Sequence, residues 1–84
     1  MKKIPIILYR KPGCHLCEVM KEEMKKAGCE NLYSLVELNI ESEVDLIERY
    51  RFEIPVLQIG GIDAFKHQLT AEDFKAYLTQ LCNS

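Results

Sequence analysis

Ile4-Pro5-Ile6-Ile7-Leu8-Tyr9-Arg10-Lys11-Pro12-Gly13-Cys14-His15-Leu16-Cys17 carries an almost continuous apolar stretch into a turn, then into two cysteines spaced C-x-x-C. An apolar, β-branched run from Ile4 to Tyr9 with little alternation reads as a strand buried on both faces. Arg10-Lys11-Pro12-Gly13 ends it as a turn. From Cys14 to Ala27 the apolar positions Cys17, Met20, Met24 and Ala27 recur at helical spacing, while Glu18, Lys21, Glu22, Lys25 and Lys26 take the other side. This predicts an amphipathic helix, closed by Gly28.

Working outward, Leu32 to Ile40 alternates in part and predicts a second strand beside the first, joined by a right-handed crossover. Ser42 followed by Asp45 has the form of a capping box, and Val44, Ile47 and Tyr50 then share one face of a second helix running to about Arg51. Ile54 to Ile59 predicts a third strand, with Pro55 at its start, where proline is tolerated. Gly60-Gly61 is a hairpin turn that needs positive φ, and Ile62 to Lys66 is the returning strand. Thr70 with Asp73 opens a last helix whose Phe74, Tyr77, Leu78 and Leu81 form one stripe. The order β-α-β-α-β-β-α implies a four-stranded mixed sheet with helices on both faces, a three-layer α/β/α architecture.

At 84 residues the chain has room for one domain, residues 1–84, and one modest core. A formal net charge of -2 gives no general reason to expect nucleic acid or an anionic membrane as partner. Met1-Lys2-Lys3 and the apolar residues after it imitate an export signal only faintly, because that stretch contains Pro5 and is stopped by Arg10-Lys11. The expectation is a cytoplasmic monomer. Four cysteines without an export signal do not point to a disulfide-stapled secreted domain. Two of them at C-x-x-C spacing point to redox or metal chemistry.

A thiolate, rather than a thiol, attacks disulfides. At the start of a helix, Cys14 would sit at the positive end of the macrodipole, within reach of unpaired first-turn N–H groups. Arg10, Lys11 and His15 add positive or polarisable charge around it. Cys17, almost one turn on, faces inward with Met20 and Met24. The pair therefore reads as an exposed nucleophile and a shielded partner. A zinc site would need two further ligands, and Cys29, His67 and Cys82 make no recognisable pattern with the pair. Cys29 and Cys82 fall at helix ends and read as small buried or half-buried apolar residues. A disulfide between them is neither required nor excluded.

Lys11-Pro12-Gly13-Cys14-His15-Leu16-Cys17 and Glu53-Ile54-Pro55-Val56 together resemble the glutaredoxin branch of the thioredoxin superfamily, most closely the glutaredoxin-like group with C-H-L-C in place of C-P-Y-C. The resemblance spans nearly the whole chain. It implies a thioredoxin-like fold and a thiol–disulfide oxidoreductase with Cys14 as nucleophile and Cys17 as resolving cysteine. It also implies that Lys11 assists glutathione binding, with Arg10 and His15 nearby. Pro55 matches the family's cis-proline, although trans is the commoner X-Pro form on sequence alone. The backbone of Ile54 matches the segment that pairs with substrate as an added strand.

No tightly bound cofactor is implied. Glutathione enters as a possible co-substrate, the partner is a disulfide-bearing protein or a glutathione mixed disulfide, and the electron donor is glutathione or a flavoprotein reductase. Two other functions are compatible with the motif: metal or [2Fe-2S] binding through the C-x-x-C, and a redox-inactive thioredoxin-like interaction module. Where glutaredoxins carry Thr-Val-Pro, this chain reads Glu53-Ile54-Pro55, and its last helix is entered through Gln68-Leu69-Thr70 in place of Gly-Gly-x-Asp. Both departures lie where glutathione would be held, so a protein disulfide is an alternative substrate.

Overall fold

The computed structural model describes residues 3–83, so the Met1-Lys2 part of the signal-like segment lies outside the described residues. Strand β1 (Ile4–Arg10) is followed by helix α1 (His15–Ala27), strand β2 (Tyr33–Asn39), helix α2 (Val44–Tyr50), strands β3 (Val56–Ile59) and β4 (Ile62–Lys66), and helix α3 (Ala71–Cys82). The sheet order is β2-β1-β3-β4. β1 runs parallel to β2 and antiparallel to β3, and β3 is antiparallel to β4, which makes the sheet mixed as the element order requires.

β1 buries both faces because both helix layers rest on it. Ile6 and Leu8 pack with Met20 and Met24 of α1 and with Phe74 and Leu78 of α3. Tyr9, with Ile7 against it, packs with Tyr50 of α2, Ile40 and Val56 on the opposite face. In that second cluster the Tyr9 and Tyr50 rings stack with centroids 4.3 Å apart. Gly60 and Gly61 form the β3–β4 hairpin at φ +58° and +87°, the double positive-φ requirement of a tight hairpin. The register then shifts between Leu57 and Gln58, which leaves Ala64 as an extra residue on β4.

Several boundaries differ from the sequence-based expectation: Arg10, expected in the turn, is the last residue of β1, paired with Asn39 of β2. Leu32 and Ile40, expected within the second strand, lie in turns of 3-10 helix that flank β2 (Glu30–Leu32 and Ile40–Ser42). The third strand begins at Val56, with Ile54 and Pro55 in the connection before it. Ser42 does not cap α2: the Asn39 side chain accepts the Glu41 N–H at 2.9 Å and winds the chain into the second 3-10 turn, so Glu43 precedes the helix without a side-chain cap. α2 consequently faces the core through Leu46 and Tyr50, and Val44 is exposed. Cys82 is exposed where a buried or half-buried residue was expected, while Cys29 is buried; both thiols are free.

Candidate active site

Gly13, at φ +74°, turns the chain out of β1 and delivers Cys14 to the N-cap of α1. Cys14 has extended backbone there, its carbonyl accepts the Glu18 N–H, and its Sγ accepts the Cys17 N–H at 3.1 Å. The helical spacing brings Cys17 back under it, and the two cysteines form a disulfide with Cα atoms 5.3 Å apart. Cys17 is fully buried and Cys14 is half-buried, so attack from solvent can reach only the first sulfur. A thiolate at Cys14 would keep the Cys17 amide as a donor and lie at the positive end of a 13-residue helix.

The charges around the pair are not all available. Arg10, expected to lend positive charge to Cys14 and substrate, places its guanidinium on Glu18 of α1 and, at 2.8 Å, on Glu37 of β2. Lys21 joins Glu37 at 3.2 Å. The reason is register: Arg10 ends β1 opposite Asn39, which brings the Glu37 side chain within its reach. The hydrogen bond to Glu37 holds the Arg10 pKa up, and the same bond holds the Glu37 carboxyl down. Lys11 stays exposed and, with Arg10, Pro12, Glu37 and Asn39, lines a shallow depression of about 210 Å³. His15 is exposed in the first turn of α1.

The other wall comes from the connection between α2 and β3. Tyr9 is paired with Val56, so Pro55 and Ile54 reach the same end of the sheet from which β1 enters the turn before Cys14. The Ile54-Pro55 bond is cis and Pro55 is buried. The Tyr50 carbonyl accepts both the Glu53 N–H (2.8 Å) and the Ile54 N–H (3.1 Å). Of the two Ile54 backbone groups expected to meet substrate, the N–H is therefore already engaged. Glu53 is paired with Lys66 at 3.1 Å, which neutralises the carboxylate that precedes the Ile54-Pro55 wall.

Sequence reasoning missed two features at this end. Glu23 of α1 reaches α3 and accepts the Ala71 N–H at 3.1 Å, while Thr70 accepts the Asp73 N–H at 3.1 Å, so the entry to α3 is capped from within the protein. The Thr70 cap was legible as Thr-x-x-Asp, whereas the Glu23 bond spans 48 residues and had no local signal. The second feature is His67, weighed only as a metal ligand. It is exposed, adopts φ +69°, and donates its backbone N–H to the Pro55 carbonyl at 2.8 Å. Among the described residues no three His, Cys, Asp or Glu side chains are grouped to hold a metal ion, and no helix is long and apolar enough to cross a membrane.

A four-stranded mixed sheet between helices, with a C-x-x-C disulfide at the N-terminus of the first helix, defines a thioredoxin-fold protein. Solved structures agree. A protein from X. campestris superposes with a TM-score of 0.76 at 23% identity, covering 89% of this chain and 96% of that one. A protein from Nitrosomonas europaea gives 0.73 at 25% identity, covering 92% and 93%. A chloroplastic thioredoxin z gives 0.73 at 16% identity, covering 98% and 80%. Within that class, the family model for the glutaredoxin-like domain (DUF836) matches residues 5–79, and the chain belongs to that family.

Proposed function

We propose that the protein is a thiol–disulfide oxidoreductase that acts on protein disulfides. The observation that carries this reading is the Cys14–Cys17 pair: one sulfur is accessible and held under an amide at a helix N-terminus, and its partner is fully buried. In the reduced protein, Cys14 thiolate attacks one sulfur of the substrate disulfide. The substrate's other sulfur leaves as a thiolate and takes a proton from water, giving a mixed disulfide through Cys14. Cys17 then loses its proton and attacks the Cys14 sulfur. The remaining substrate sulfur departs, and two electrons have passed from the dithiol to the substrate. Glutathione or a flavoprotein reductase would return them, an electron supply that belongs to a reducing compartment such as the cytoplasm.

Two observations favour a protein disulfide over glutathione as substrate. The first amides of α3, where the family resemblance puts the γ-glutamyl end, are occupied by Glu23 and Thr70. Arg10 is committed to Glu18 and Glu37, which leaves Lys11 as the cation in that turn for a glycyl carboxylate. The test is trapping. Reduced Cys17→Ser protein, mixed with an oxidised protein substrate, should accumulate a mixed disulfide through Cys14, seen as a mass increase reversible by dithiothreitol. Recovery of unmodified protein would overturn the assignment.

A further inference from the structure

We propose that the His67 imidazole is a specificity-determining contact for the polypeptide flanking the substrate disulfide, an inference that rests on the oxidoreductase reading above. Among the described residues His67 is the one non-glycine with positive φ; the other such positions are Gly13, Gly28, Gly60 and Gly61. The Gln68 N–H donates to the Lys66 carbonyl at 2.8 Å, closing a three-residue turn centred on His67. A γ-turn with positive φ at its centre is the rare, strained form, and glycine fits it without steric cost. The bond from His67 N–H to Pro55 O then locks this turn against the active-site wall.

A histidine where the backbone favours glycine costs stability, and the backbone bonds that hold the turn would be made equally by glycine. The side chain is exposed, and among the described residues the imidazole enters no hydrogen bond, ion pair or ring contact. Non-glycine residues held in such conformations cluster at ligand clamps and active sites, where the side chain has work to do. The topology says where that work lies. Tyr9, Val56 and Lys66 form one row across the sheet, so His67 follows β4 at the end where Pro55 precedes β3 and the turn to Cys14 leaves β1.

The groups sharing this end fit an extended peptide better than a small molecule. Phe52 is 77% exposed with the Arg51 guanidinium over its ring, and Leu16, inside the C-x-x-C, is 50% exposed. A peptide lying across the Cys14 sulfur would offer apolar side chains to Leu16 and Phe52. Its backbone carbonyl or carboxylate oxygens would accept from the imidazole. A small symmetric disulfide has no such flanks.

The experiment compares wild-type, His67→Gly and His67→Asn proteins on two substrates, insulin and hydroxyethyl disulfide, with thermal unfolding measured in parallel. His67→Gly should melt no lower than wild type, raise KM for insulin by about three- to tenfold, the worth of one hydrogen bond, and leave kcat unchanged. Its rate with hydroxyethyl disulfide should match wild type. His67→Asn, which tolerates positive φ and keeps a donor, should recover most of the insulin KM. An unchanged insulin KM in His67→Gly, or an equal loss on both substrates, overturns this inference alone. Wild-type protein inert toward both disulfides overturns the oxidoreductase reading and the inference with it.

Discussion

The backbone N–H of Cys17 points at the Sγ of Cys14 across 3.1 Å, so the buried cysteine holds the exposed one through its amide as well as through the covalent bond. Reduction removes only the second link. The amide and the helix end remain to stabilise an anion on Cys14. With reduced protein at pH 7, iodoacetamide should therefore alkylate Cys14 first, about tenfold or more faster than the exposed Cys82, which lies at the opposite end of a helix. Cys17 should react only after unfolding. Site-resolved mass spectrometry over a time course checks the order; equal rates for Cys14 and Cys82 would remove the helix-end argument.

Glu37 offers a test of the charge network that ties β1, β2 and α1 together. Its carboxyl is held below the usual range by the hydrogen bond from Arg10. A depressed carboxyl contributes stability above its unfolded pKa of about 4.3 and loses it as the pH falls through the lower folded value. Glu37→Gln should cost about 0.5–1 kcal/mol at pH 7, solvent screening limiting an exposed pair. The gap to wild type should close below about pH 4. Urea midpoints at several pH values read this directly, and a gap that persists in acid contradicts it.

Tyr50 should respond at the other end of the pH scale. Burial, reinforced by Asp63, whose carboxylate accepts the Tyr50 hydroxyl at 3.2 Å, pushes its pKa up to about 12. Between the unfolded value near 10 and that figure, the unfolded chain gives up the proton and the folded protein keeps it, so stability is full below about pH 10 and falls above it. The loss attributable to Tyr50 is about 2–3 kcal/mol by pH 12. Tyr50→Phe should remove that share of the alkaline loss, measured as the difference between the two proteins' urea midpoints at pH 9 and pH 11.

Glu23 links substrate choice to the packing of α1 on α3. Replacing it with alanine frees the Ala71 N–H at the entry to α3. The thermal midpoint should fall. Turnover of a glutathione mixed disulfide should rise relative to that of a protein disulfide, because an anion-seeking amide becomes available. Unchanged relative turnover would show that this cap does not govern substrate choice.

Legibility in the sequence followed the range of the interactions. The order of elements, the hairpin at Gly60-Gly61 and the Thr70 cap depend on periodicity and on residues three or fewer apart, and all could be read. The entry to α2 misled because Ser42-x-x-Asp45 has capping-box form, yet Asn39 captured the Glu41 amide first and used Ser42 in a different turn. At the site, the placement of Cys14 and Cys17 follows from local helix geometry. The diversion of Arg10 to Glu37, the pairing of Glu53 with Lys66 and the Glu23 cap join residues 13 to 48 positions apart and exist only once the sheet has formed.

β1 is hydrogen-bonded to β2 on one side and β3 on the other, and lies between both helix layers. Its central amides belong to the last cooperative unit to open and should exchange with solvent deuterium only through global unfolding. The exposed turn at Lys11, Pro12 and Gly13 begins one residue beyond its end. Backbone that opens only with the whole fold and backbone that exchanges from the folded state should thus lie within a few residues of each other. A sulfur carried on the quick side of that boundary can meet differently shaped partners while the frame that aims it stays fixed.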